Sequence, residues 1–171
     1  MLSEYEIENG RLKKFIFWPL FKLISAFILA IVASLVLLDV GQGKIVFVLG
    51  LTCIWIFLVH LLPFFLLTWR HLAISKGVRF DVYNSSTNFR YRNGHDNVEF
   101  NLAEVDRIVC VLSPPKNDNR MDLAGFGHFF YWKIFLKNGL VLRLSCLVVD
   151  EEVFYQKEIQ REKRIFPFPS K

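Results

Sequence analysis

Two unbroken apolar runs, residues 15–38 and 45–67, are separated by only six residues in a chain of 171. A helix rises 1.5 Å per residue, so about 20 apolar residues cross the roughly 30 Å hydrocarbon layer of a bilayer. Both runs reach that length and are apolar all round, a pattern suited to lipid or complete enclosure and not to one buried stripe. The linker 39–44 contains two glycines and is too short for anything but an immediate return. The runs therefore predict a two-helix transmembrane hairpin over residues 15–70. A cleaved leader fits poorly, because the first run is too long and no small-residue cleavage site follows it.

Basic residues give the hairpin a side. Arg11, Lys13 and Lys14 precede the first run and Arg70, Lys76 and Arg79 follow the second, against Lys44 alone in the linker. Basic excess marks the cytoplasmic side, and Trp18 and Trp69 lie at the same two ends, where indoles favour the headgroup layer. The expectation is a two-pass protein with both termini cytoplasmic, its six flanking cations contacting anionic lipid. Within the hairpin, Lys22 is close enough to the end to snorkel, and His60 lacks an acidic or histidine partner in either run, which favours a hydrogen bond across the helices or a place at the interface over a proton or metal site.

Beyond residue 70 the pattern changes to alternation, the signature of half-buried antiparallel strands. Strands are expected at 78–83, 89–92, 98–102, 107–112, 128–137 and 140–149, and 70–75 is a candidate for one more. Turns fall at 84–88 and 93–97, a short link at 103–106, and a long loop at 113–127. Asn138-Gly139 predicts a two-residue type I′ hairpin. Asp150 as N-cap, Glu151 and Glu152 in a first turn, and Arg161, Lys163 and Arg164 in a last turn predict a C-terminal helix with Val153, Phe154 and Ile159 on its apolar side. The reading divides the chain into an N-terminal segment 1–14, the hairpin 15–70, a cytoplasmic β domain with C-terminal helix 71–165, and a tail 166–171.

An apolar hairpin followed by 89-FRYRNG-94, the link and strand 100-FNLAEVDRIVCV-111, and the closing strand 140-LVLRLSCLVV-149 leading into an acidic start resembles small bacterial membrane proteins that carry a bacterial PH-like domain. The resemblance implies an α+β fold: a bent antiparallel sheet or barrel of about 6–7 strands capped by a C-terminal helix. It also implies a non-enzymatic binding or scaffold module at the cytoplasmic face of the bacterial inner membrane, assembling or recruiting partners. An accessory or sensor protein binding a small ligand or an anionic headgroup is the second reading. A lipid-acting enzyme is the third and is disfavoured.

Chemistry-bearing patterns are sparse. Cys53, Cys110 and Cys146 are dispersed, no zinc-ligand spacing occurs, and Cys110, Cys146 and His128 lack the spacing that would nominate them as ligands. His95-Asp96 and His128 lack a nucleophile in pattern, and 124-AGFG-127 has neither the lysine nor the helix start of a phosphate loop. No catalytic residue, metal ligand or cofactor is predicted. The net charge of +5 is divided between the two halves, so no polycation for nucleic acid exists. Arg90 and Arg92, on the polar face of one strand, are candidates for a phosphate or an acidic partner, against the alternative of a charged solvent face. Aromatics occupy both faces of the strand near 128–137. One face is core, and Phe129, Tyr131, Trp132 and Phe135 are candidates for a protein interface, in self-association or with another chain, unless the fold itself covers them.

Overall fold

The computed structural model describes residues 3–7, 9–37, 42–83, 87–94, 96–122, 127–154 and 158–169. Strand β1, Ser3–Tyr5, comes first. Helix α1 joins Asn9–Leu12, a π turn Lys13–Phe17 and Trp18–Leu37. Helix α2 joins Gln42–Ile56, a π turn Phe57–Leu61 and Leu62–Ser75. Each π turn is closed by the residue before a proline: the Trp18 N–H donates to the Lys13 carbonyl and the Leu62 N–H to the Phe57 carbonyl. Proline has no N–H, so Pro19 and Pro63 cannot close the normal bond to the carbonyl four residues back, and the helix widens there.

Both helices are long and apolar enough to cross a membrane, and only 6% of the most apolar stretch of each is buried. A core helix of a soluble protein would be mostly covered. Here Phe17, Phe21, Ile28, Leu29, Phe47 and Trp55 are among the large apolar side chains left exposed. The feet of the helices differ: Phe15 from α1 and Phe64 and Leu67 from α2 are buried in the same core as the strands. Burying a side chain of this size contributes about 1.5–3 kcal/mol, so the feet and the β structure form one packed unit.

The first sheet has the order β1-β2-β3-β4, with β2 at Val78–Tyr83, β3 at Asn88–Asn93 and β4 at Asp96–Asn101. Pairing is antiparallel throughout, and β1 joins β2 in the register Ser3↔Val82, Glu4↔Asp81, Tyr5↔Phe80. The two apolar helices are thus inserted between adjacent strands of one sheet. Residues 3–5, part of the expected N-terminal segment 1–14, form an edge strand of the first sheet.

The second sheet has the order β7-β6-β5-β8, with β5 at Val105–Leu112, β6 at Phe130–Leu136, β7 at Val141–Ser145 and β8 at Ile159–Lys163. A 3-10 turn, Leu102–Glu104, links the sheets. Its capping box is reciprocal: the Asn101 side chain accepts from the Glu104 N–H and Glu104 Oε2 accepts from the Asn101 N–H, each at 3.0 Å. Ile108, Cys110 and Leu112 from β5 and Phe130, Trp132 and Ile134 from β6 face the shared core.

Three expectations need correction. Residues 70–75 continue helix α2 and are not a strand. The Asn138-Gly139 turn is not type I′: only Gly139 has a positive φ, at 87°, and the bonds Gly139 N–H to Leu136 O and Leu136 N–H to Leu140 O make a three-residue turn closed by a glycine bulge. The expected C-terminal helix is replaced by a 3-10 turn, Glu151–Phe154, and by β8, which runs parallel to β5 from Ile108↔Ile159 to Leu112↔Lys163. Helix-favouring terminal charges lost to a long apolar edge: an uncovered β5 would present open hydrogen-bonding groups, and a charged strand closes it. The 3-10 turn still supplies an apolar cap between the sheets. Phe154 reaches Phe80 and Phe89 in the first sheet, each at 5.8 Å between ring centroids, and Trp132 in the second at 5.1 Å.

Candidate functional site

Loop residues near the foot of α1 build a polar corner. Ser113 Oγ donates to the Gly127 carbonyl and accepts from the Lys116 N–H, while Asp122 Oδ2 accepts from the Gly127 N–H at 2.6 Å. A Cβ on Gly127 would lie 2.8 Å from Asp122 Cγ, so a larger residue there would displace the carboxylate from its bond to this N–H. This neck sets His128 against α1, where its Nε2–H donates to the Phe15 carbonyl at 2.7 Å. That carbonyl is the one Pro19 leaves without its helical donor. Burial holds the His128 imidazole below the usual histidine range, with Lys116 and Lys22 adding to the depression and the Phe15 carbonyl and Asp122 opposing it.

A groove of about 450 Å3 opens beside this contact, lined by Lys14, Trp18, Pro19, Lys22, Leu23, Ala26, Asp122 and His128. Lys14, Trp18, Lys22 and Ala26 recur every four residues, so one face of α1 supplies them. Lys22 is exposed, and Lys14, with its side chain 66% exposed, has Asp150 at 3.7 Å and the Phe15 ring 5.2 Å from its ammonium.

A second histidine joins the other helix to the domain. His71 is fully buried near the end of α2. Its Nε2–H donates to the Pro167 carbonyl at 3.1 Å, which leaves Nδ1 to accept from Ser145 Oγ at 2.8 Å, and the Leu147 N–H donates to that same Oγ at 3.1 Å. Cys146 Sγ lies 3.8 Å from Nδ1. Histidine, serine and cysteine so close invite a catalytic reading. Solvent has no access, however, and burial pushes the Cys146 thiol up to about 12, which keeps it protonated. The group is a three-way tie between α2, the end of β7 and the C-terminal tail.

The arginine candidates are internally paired. Arg90 bonds Glu99 at 2.6 Å, and Arg92 bonds Asp81 at 2.7 Å and Glu4 at 3.4 Å. Among the flanking cations, Arg11 meets Asp150 at 3.4 Å, Arg79 meets Glu4 at 3.3 Å and Glu6 at 3.1 Å, and Arg70 stacks over Trp69; Lys13 and Lys76 are exposed. The interface candidates are mostly interior: Phe129, Tyr131 and Trp132 are buried, and Phe135 is half-buried with Arg107 4.3 Å above its ring. Tyr131 and Phe135 share the outer face of the second sheet with Val109 and Val111. Lys133 and Glu162, paired at 2.7 Å, lie over this strip, their stems covering apolar surface while their charges stay near water.

Cys110 is buried in the core, His95 lies outside the described residues, and no group of three potential metal ligands occurs among the described residues. His71 was missed because its partners lie 74 and 96 residues away, with no local pattern to announce them.

A family model described as a PH domain matches residues 4–157. The chain belongs to the PH-domain family. The match begins inside β1 and runs through both apolar helices, so the hairpin lies within the matched PH-domain region. PH domains are generally non-catalytic modules that bind lipids or proteins. No curated protein and no solved structure matches the chain.

Proposed function

We propose that this PH domain is a membrane-anchored, non-enzymatic binding and scaffold module that assembles proteins at the cytoplasmic face of a bacterial inner membrane. The observation that carries the reading is the β1–β2 pairing across the apolar helices. A pair of membrane-length helices whose two ends belong to one sheet holds that sheet against one bilayer face. The basic residues gathered at the domain end, with Lys44 alone at the far end, favour the cytoplasmic side.

With the aromatic strand largely covered by its own fold, an assembly surface is best sought in a second groove of about 450 Å3. It combines Ala73 and Ile74 of α2 with Tyr91, Val98, Leu140 and Leu142, and Leu140 is 41% exposed. The edge strand β7 borders it, and an edge can accept a strand from another chain. Alkaline carbonate should leave the full-length protein in the membrane pellet, and sedimentation in detergent should show an assembly larger than one chain. Leu140→Asp should abolish the assembly without releasing the protein from the membrane. A monomeric wild type would contradict the scaffold role.

A further inference from the structure

We propose that the groove beside the foot of α1 holds one anionic phospholipid, its phosphodiester between the Lys14 and Lys22 ammonium groups and its acyl portion along Trp18, Leu23 and Ala26. The proposal rests on the membrane anchorage argued above. It differs from a general attraction of flanking cations to a charged leaflet because the structure separates those cations. Arg11 and Arg79 have carboxylate partners and Arg70 lies over Trp69, whereas Lys22, with no ion pair among the described residues, and Lys14, with a long, exposed one, line the groove, which Lys13 and Lys76 do not. Two ammonium groups thus face one carboxylate in the groove, Asp122, whose Oδ2 is already engaged by the Gly127 N–H.

Position and shape agree with charge. Trp18 is 61% exposed, and Phe17 and Phe21 beside it are also exposed, so the groove begins where the apolar surface of α1 begins. A phosphate at that level can keep its charge near water while its chain follows the helix upward. His128 adds a preference. Its Nε2–H is committed to the Phe15 carbonyl, so the uncharged ring has Nδ1 as an acceptor, which suits a headgroup carrying hydroxyls. Phosphatidylglycerol combines a single anionic phosphodiester with such hydroxyls and is the probe of choice.

The test uses the full-length protein in nanodiscs of phosphatidylcholine containing a minority of phosphatidylglycerol, released into mild detergent for native mass spectrometry. Wild type should retain one phosphatidylglycerol in preference to phosphatidylcholine. Lys14→Gln and Lys22→Gln should each reduce retention about fivefold, the loss expected for one interfacial cation. Ala26→Trp, which fills the apolar end with the charges intact, should also reduce it, while Lys13→Gln should not, and excess inorganic phosphate should not displace the lipid. Unchanged retention in the Lys14→Gln, Lys22→Gln double variant would overturn the site. So would equal loss in Lys13→Gln, equal retention of phosphatidylcholine, displacement by inorganic phosphate, or a dimer that shields Lys22. Carbonate extraction of the same variants separates the two claims: loss of membrane residence rejects the anchor, whereas intact residence without lipid selectivity rejects only the lipid site.

Discussion

The two helix feet are tied to the same β structure by histidines that work in opposite surroundings. At α2, His71 points from the helix into the domain, is sealed from water, and uses both ring nitrogens on partners that are themselves buried. At α1, His128 points from the domain to the helix, borders an open groove, and uses Nε2 on a carbonyl that a proline has set free. The difference shows how burial divides structural from available chemistry. A polar group with all its partners inside the fold stabilises it, whereas one that lines an open groove can also take part in recognition.

Removing His71 should have the largest effect. His71→Ala leaves Ser145 Oγ and the Pro167 carbonyl with less hydrogen bonding and opens a void among Phe129 and the tail, so a loss of about 3 kcal/mol is expected, read as a lowered thermal midpoint in detergent. A smaller loss there than at His128 would reverse the comparison. His128→Ala should cost about 1 kcal/mol, the net value of an ordinary hydrogen bond. Pro19→Ala restores an N–H to α1, so the same His128→Ala change should cost less in that background. A cycle showing strict additivity would mean that His128 does not compensate for the proline.

Acid gives a finer distinction. With its folded-state affinity for protons below the unfolded value near 6.5, His128 is neutral in the fold, and the unfolded chain takes up the proton first. Its contribution is complete above about pH 6.5 and declines as pH falls below that value. Wild type should therefore lose more thermal stability than His128→Gln between neutral and mildly acidic pH. At the smallest end, Arg90→Gln should leave the thermal midpoint unchanged, because the Arg90–Glu99 pair is open to solvent.

What could be read from the sequence depended on the range of the interactions involved. The apolar runs were legible because a long helix that is apolar all round shows itself in composition alone, and most strands were legible through alternation. The alternation showed that β6 carries aromatics on both faces, but the four interface candidates mixed those faces: Trp132 and Phe129 belong to the shared core, and Tyr131 and Phe135 to the outer strip. Strand β1 was hidden because three residues are too few to show a period, and only pairing across the whole hairpin reveals it. Strand β8 was hidden because its charges satisfy a helix end equally well; the vacant edge of β5 decided the outcome. The coverage of the outer aromatic strip was hidden as well, since a lysine and a glutamate read as solvent-facing residues until their stems are seen across Tyr131 and Val109. Within the candidate groove, the lysines and Trp18 were legible as interface residues. Their meeting with His128, which comes from residue separation of 113 with Phe15, was not.

The account stands on the apolar helices leaving one sheet, crossing the bilayer and returning to the same sheet. Sided labelling tests this directly: in a background lacking Cys53, Cys110 and Cys146, single cysteines at Glu4, Gln42 and Asn97 are exposed to a membrane-impermeant thiol reagent from one side of sealed vesicles at a time. Positions 4 and 97 should label from the same side and position 42 from the other. Labelling of all three from one side, or of 4 and 97 from opposite sides, would contradict the account.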